Sequence, residues 1–287
     1  MHRLTRIMAW AVIAALPALG LTAGLSGAAN ASAAGASRSA PAEARAMALA
    51  VIRHLQVGQH GTDQRLPGVH RVSGLSQVDS SNWSGYADTG SGFSKATGKW
   101  TEPGASCSRS TTYAAFWVGI DGYSSDSVEQ DGTFIECYGG HAYQYSWWEM
   151  YPTNDIQTVG ESVAAGDSIS ASVVRSGDSY TLSVTDSTHS SNSFTTTQSC
   201  SDCANSSAEW IAEAPCCTSS GGILPLADFG TWSESGATVT EGSSSGVISS
   251  FTDDELTMVD SSGLVKAQPG SLNSSGNGFS VTWERSS

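Results

Sequence analysis

The chain has 287 residues, 14% of them charged and 39% hydrophobic, with 13 Lys and Arg against 27 Asp and Glu and a formal charge of −14. So acidic a surface repels phosphate, which argues against nucleic acid as a partner. The complement of 9 Trp, 8 Tyr and 7 Phe excludes a chain that is disordered throughout.

Arg3 and Arg6 give the chain a positive start, Ile7 to Leu25 is almost wholly apolar, and Ala29-Asn30-Ala31 offers small residues for cleavage. This is the pattern of an export signal over 1–33, and Pro17 and the small-residue exit favour cleavage over a retained anchor. No later apolar run is long enough to span a bilayer, so no membrane contact is expected after processing.

Residues 34–79 have another texture. Ala44, Met47, Ala48, Val51 and Leu55 recur at helical spacing behind Pro41, a residue suited to a first helical turn. Residues 1–79 hold seven Arg and three acids, hence +4, whereas 80–287 hold six Lys and Arg and 24 acids, hence −18. A cationic, partly helical segment ahead of an acidic domain reads as a removable pro-region, expected to neutralise part of that domain and inhibit it by covering it.

From 80 to 287 the chain is strand and turn, opening on Asn82-Trp83-Ser84-Gly85-Tyr86-Ala87-Asp88. Candidate strands lie at 94–101, 111–119, 133–138, 142–151, 168–175, 179–186, 193–198, 207–213, 237–240, 247–251, 256–260 and 279–284, mostly separated by Gly, Ser, Asn or Asp. With 31 Gly and no convincing helix, an all-β antiparallel sandwich is expected. All six Cys (107, 137, 200, 203, 216 and 217) lie in this part. In an exported protein they read as crosslinks, with Cys107–Cys137 the expected pair and the other four closing a local loop. Adjacent thiols with no nearby His make a poor zinc site.

The chemistry is narrowed by elimination. After residue 80 only His141 and His189 remain, neither in a Ser-His-Asp motif, and there is no His-Glu-x-x-His and no phosphate-cradling glycine loop. No metal and no cofactor are expected, and nothing points to an obligate oligomer, so a monomer is expected. Carboxylates and amides are left. Strand parity groups them: Tyr143, Tyr145, Trp147, Glu149 and Tyr151 share one face, as do Tyr113, Ala115, Trp117, Gly119 and Asp121. Glu209 and Glu213 share a face opposite Ala208, Trp210 and Ala212. Acids among aromatics are costly in an ordinary core and suit a groove that does acid chemistry on an extended polymer.

The blocks Phe116-Trp117-Val118-Gly119-Ile120-Asp121-Gly122, Gln130-Asp131-Gly132, Trp148-Glu149-Met150-Tyr151-Pro152 and Ala208-Glu209-Trp210-Ile211-Ala212-Glu213, in this order after Asn82-Trp83-Ser84-Gly85-Tyr86, resemble the glutamic peptidases (eqolisins). The resemblance covers roughly 82–235. It implies a concanavalin-like β-sandwich of two antiparallel sheets and a secreted, acid-active endopeptidase acting on polypeptides. It also implies a catalytic Glu/Gln pair, carried over as Glu209 and Gln130. Trp117, Asp121 and Glu149 match positions that line or support such a site, and Trp147 and Tyr145 share the aromatic face with Glu149. One departure stands out: where the family has an apolar residue, Gln, then Thr-Gly, this chain has Glu129-Gln130-Asp131-Gly132. Two other readings fit the same face: a glycoside hydrolase using Glu149 and Glu209, and a carbohydrate-binding sandwich using Trp117 and Trp147.

Overall fold

The structure is a computed structural model that describes residues 65–72, 75–160, 162–215 and 222–287. The expected export signal, the helical periodicity at 44–55, and Cys216 and Cys217 lie outside these residues. Seventeen strands follow in order: β1 (Arg65–Val72), β2 (Leu75–Ser80), β3 (Trp83–Thr89), β4 (Phe93–Thr101), β5 (Thr112–Asp121), β6 (Val128–Tyr138), β7 (His141–Tyr151), β8 (Asn154–Thr158), β9 (Ser168–Ser176), β10 (Ser179–Asp186), β11 (Phe194–Ser199), β12 (Ser207–Glu213), β13 (Thr231–Glu241), β14 (Ser244–Gly246), β15 (Asp253–Val259), β16 (Val265–Pro269) and β17 (Phe279–Trp283). Among the described residues the only helical pieces are two single 3₁₀ turns, at Ser190–Asn192 and Ile248–Ser250.

The strands form the expected two-sheet, nearly all-antiparallel sandwich. One sheet runs β1-β2-β15-β3-β12-β5-β6-β7-β8, with β16 and β17 continuing from β15 to the first half of β13. The other runs β11-β10-β9-β4-β13-β14. Strand β13 belongs to both: Thr231–Glu234 pair with β17 and Ser235–Glu241 with β4. The ladder breaks between Ser235 and Thr238, where Gly236 takes a φ of 64°; a strand changes sheets most readily at such a kink. The sequence gives only the second half of this strand. Strand β12 enters between β3 and β5, so the first sheet's centre is made of segments distant in sequence.

Two departures from the expected elements have clear causes. Residues 247–251 are not a strand: the Val247 N–H donates to Ser250 Oγ at 3.2 Å and Phe251 N–H to the Ile248 carbonyl at 3.2 Å, closing a turn. Strands β1 and β2, which fall within the segment read as a pro-region except for Ser80, pair with each other, and β2 pairs in parallel with β15. The helical spacing at 44–55 stops short of them.

The central strands of the first sheet are buried on both faces; β12 is buried at every position. Tyr86, Phe116, Val118, Ile120, Trp210 and Trp232 fill the core between the sheets. Trp83, Trp117, Phe134, Tyr145, Trp147 and Ile211 form a second apolar layer on the opposite face. Cys107–Cys137 ties the loop before β5 to the end of β6, and Cys200–Cys203 closes the loop before β12. The two layers leave no slack for a side chain at Gly132, whose Cβ would lie 2.0 Å from the Phe116 carbonyl oxygen. Gly132→Ala is expected to cost about 3 kcal/mol or more, since only backbone displacement could relieve that contact. Urea unfolding at acid pH checks this; a midpoint equal to the native one would contradict it.

Candidate active site

The second layer is where the polar residues gather. The ladder sets Glu209 (β12), Gly119 (β5), Gln130 (β6) and Glu149 (β7) in one row across the sheet, all facing the same way. Ile211, Trp117, Gly132 and Trp147 form the next row, and Glu213, Ala115, Phe134 and Tyr145 the one after. The expected alternation holds for these rows, Asp121 excepted, and Gln144 points the other way, donating to Glu102 at 3.0 Å and to the Pro103 carbonyl at 2.8 Å.

A small, partly open pocket opens in this face. It is lined by Ala115, Gln130, Phe134, Trp147, Glu149, Ile156, Glu213 and Pro215. A water centre has about 10 Å³ there, close to the need of one molecule. Gln130 Nε2 donates to Glu149 Oε2 at 2.5 Å, while Gln130 Oε1 and Glu149 Oε1 are buried without a protein partner. Glu213 Oε2 accepts the Trp117 indole N–H at 2.9 Å, and Asn82 Nδ2 stands 3.4 Å from Glu213 Oε1. Burial is the main cause that pushes both acids up: Glu149 to about 8, and Glu213 well above the usual carboxylate range with the Glu149 charge adding to it. Two facing acids in a dry pocket hold one proton between them more readily than two charges.

The structure separates the residues singled out from sequence. Gln130, Glu149 and Trp147 line the pocket, and Trp117 touches it through Glu213. Tyr145 lies in the buried aromatic layer and does not line the pocket. Asp121 leaves the face on which alternation set it. Its φ of 69° turns it away, and its carboxylate accepts the Asn205 N–H at 2.6 Å, the Ser206 N–H at 2.8 Å and the Ser206 hydroxyl at 2.9 Å. Glu209 shares Gln130's row but does not line the pocket. Between them stands Gly119, and the benzo edge of Trp117 occupies the space above it, 2.8 Å from where a Cβ would be. The acid that meets Gln130 and Glu149 at the pocket is Glu213. Parity marks it as a face-mate of Glu209, but only the register distinguishes the two.

This frame of two antiparallel sheets is that of the glutamic peptidases. A solved scytalido-glutamic peptidase with a transition-state analogue inhibitor superposes with a TM-score of 0.61 at 23% identity, over 71% of this chain and 98% of that one. Residues 81–276 match the model of the Peptidase A4 family, and the chain belongs to that family. It is therefore a peptidase, a hydrolase of glutamic type. It is 28% identical to aspergillopepsin-2 of Aspergillus niger over 65% of this chain and 75% of that protein. It is 33% identical to scytalidopepsin B of Scytalidium lignicola over 52% of this chain and 59% of that protein.

Proposed function

We propose that the protein is a secreted acid endopeptidase in which Glu213 activates water and Gln130 stabilises the tetrahedral oxyanion. The observation that carries this reading is the convergence of Glu213, Gln130 and Glu149 on one water-sized pocket. The working form holds one charge and one proton across Glu213 and Glu149. Burial raises both acids, so the state competent to act is the one in which Glu213, facing the indole N–H of Trp117 and the amide of Asn82, has given up its proton while Glu149 keeps its own. Glu213 takes a proton from the water as its oxygen bonds to the scissile carbonyl carbon. Gln130 has one amide hydrogen on Glu149 and a second to give to the oxyanion. Glu213 then passes the proton to the amine as the C–N bond breaks, and no acyl-enzyme forms.

Export is supported by the apolar stretch Ile7 to Leu25 and by the disulfides. Residues 34–79, with five Arg against three acids and so +2 without the export signal, precede the −18 domain, and this supports latency through charge attraction. Polypeptides are the proposed substrates, and a monomer is the proposed state.

The test is digestion of a denatured protein at about pH 3, where carboxylates near their reference values are protonated. Cleavage should occur, be lost in Gln130→Ala, and follow a bell-shaped pH profile with its maximum below neutrality. Turnover of glucans without peptide cleavage, or a maximum at neutral or alkaline pH, would overturn the reading. A finer expectation concerns Trp117→Phe, which keeps most of the ring and removes the N–H from Glu213. kcat/KM should fall by about tenfold or more and its acid limb move to higher pH, because the charged form of Glu213 loses a donor. An unmoved acid limb would separate Trp117 from the chemistry.

A further inference from the structure

On the reverse side of β6, one residue from Gln130, the Glu129 carboxyl is buried in the core, where it pairs across the ladder with Ile120 and Met150. No N–H or O–H of the described residues donates to its two oxygens at hydrogen-bonding geometry; its hydrogen-bonding contact is the Asp121 carboxyl. Two carboxyl oxygens in contact need a proton between them. Asp121 already accepts from Asn205, from Ser206 twice, and from Ser127 Oγ at 3.4 Å, so the charge belongs on Asp121 and the proton on Glu129.

The other groups close enough to act on Glu129 come from each neighbouring element. They are Arg175 from β9, Glu209 from β12, Tyr180 from β10, and the Cys200–Cys203 disulfide, whose sulfurs lie within 4.8 Å of its carboxyl oxygen. Tyr180 donates to Asn205 Oδ1 at 2.6 Å, and Asn205 Nδ2 to the Cys203 carbonyl at 2.7 Å. Asp121 and Asn205, which this cluster joins, are the only non-glycine residues of the described chain with positive φ. Such backbone persists where its surroundings hold it. With Glu129 protonated, the Arg175 and Asp121 charges balance; removing the proton leaves a surplus negative charge in the core beside Glu209.

We propose that Glu129 is a positioning residue for the reaction: through a proton shared with Asp121 it holds the end of β5 to the Asn205–Ser206 start of β12, and so sets Gln130 against Glu213. The inference rests on the peptidase reading above, and it makes a second acid requirement, built behind the sheet. Burial and the Asp121 and Glu209 charges push Glu129 well above the carboxylate range, so the clasp is closed in acid and opens as the pH rises.

The test is amide hydrogen exchange in the whole protein, native and Glu129→Gln, at about pH 4 and about pH 7. In the native protein, protection at Asn205 and Ser206 should fall by about tenfold or more relative to Val173 on β9. In Glu129→Gln, whose amide can donate to Asp121 and cannot ionise, the fall should vanish. The decline of kcat over the same range should shrink with KM unchanged. Equal falls in both proteins, or none in the native one, overturn the proposal. Should the variant fail to fold, a carboxyl ¹³C titration of native Glu129 decides: a protonated signal at about pH 6 supports the clasp, a carboxylate signal overturns it. If the exchange result holds and no form cleaves peptides at any pH, the peptidase reading alone has failed.

Discussion

Glu213→Gln is expected to fold normally and to lose peptide hydrolysis by about 10³-fold or more, the scale of removing a positioned general base. The substituted carboxamide keeps an oxygen for the Trp117 indole N–H, so the pocket's shape is retained while its base is gone. Glu209→Gln, in the row of Gln130 and Glu149 but screened from the pocket by the Trp117 ring over Gly119, should stay within about tenfold of the native rate. The pair of single-turnover measurements at acid pH decides between the two acids of one strand. Loss of activity in Glu209→Gln with activity kept in Glu213→Gln would return the base to position 209.

The second large effect is alkaline unfolding. Burial pushes Glu102 and Glu149 up from 4.5 to about 8, Asp88 from 3.8 to about 9 and Glu136 to about 7, and drives Asp131 and Glu234 well above the usual range. The folded chain thus keeps protons that the unfolded chain releases near pH 4. Stability is complete below about pH 4 and falls as the pH climbs through about 7 to 9. For Glu102 alone, from 4.5 to about 8, ionisation costs about 5 kcal/mol. Glu149 adds a similar amount, and together they rival the whole stability of an ordinary domain, about 5–15 kcal/mol. Urea midpoints should therefore decline steeply between about pH 5 and pH 8, and a flat profile would refute the buried-acid account.

What could be read from the residues was what alternation controls. The faces carrying Trp117, Trp147, Glu149, Glu209 and Glu213 and the antiparallel sandwich follow from local composition and period; the two-sheet frame was what the family resemblance implied, and the Cys107–Cys137 pair, which the structure bears out, was one choice among fifteen pairings that no local pattern selects. What could not be read depends on contacts distant in sequence. The level at which β12 docks on β5 decides whether Glu209 or Glu213 reaches the pocket, and no local signal encodes that level. Asp121 broke parity because a positive φ, stabilised by the remote Asn205–Ser206 segment, turned it out of its face. Strand β8 and strand β16 were missed because their five residues carry few β-branched or aromatic side chains in alternation, unlike the equally short Phe279–Trp283, and the first half of β13 because Gly236 interrupts its pattern. The carboxyls at 129 and 131 looked like additions beside Gln130; parity in fact turns both into the inter-sheet core.

The insertion of β12 between β3 and β5 has a consequence for biosynthesis. Its neighbours leave the ribosome long before it does, and with no β12 between them the floor of the pocket lacks both its middle and its base. Long-range pairing of this kind forms late. On the proposed mechanism, a nascent or truncated chain ending before residue 207 lacks Glu213 and would cut nothing, so the order of translation adds a delay to activity that is separate from any pro-region.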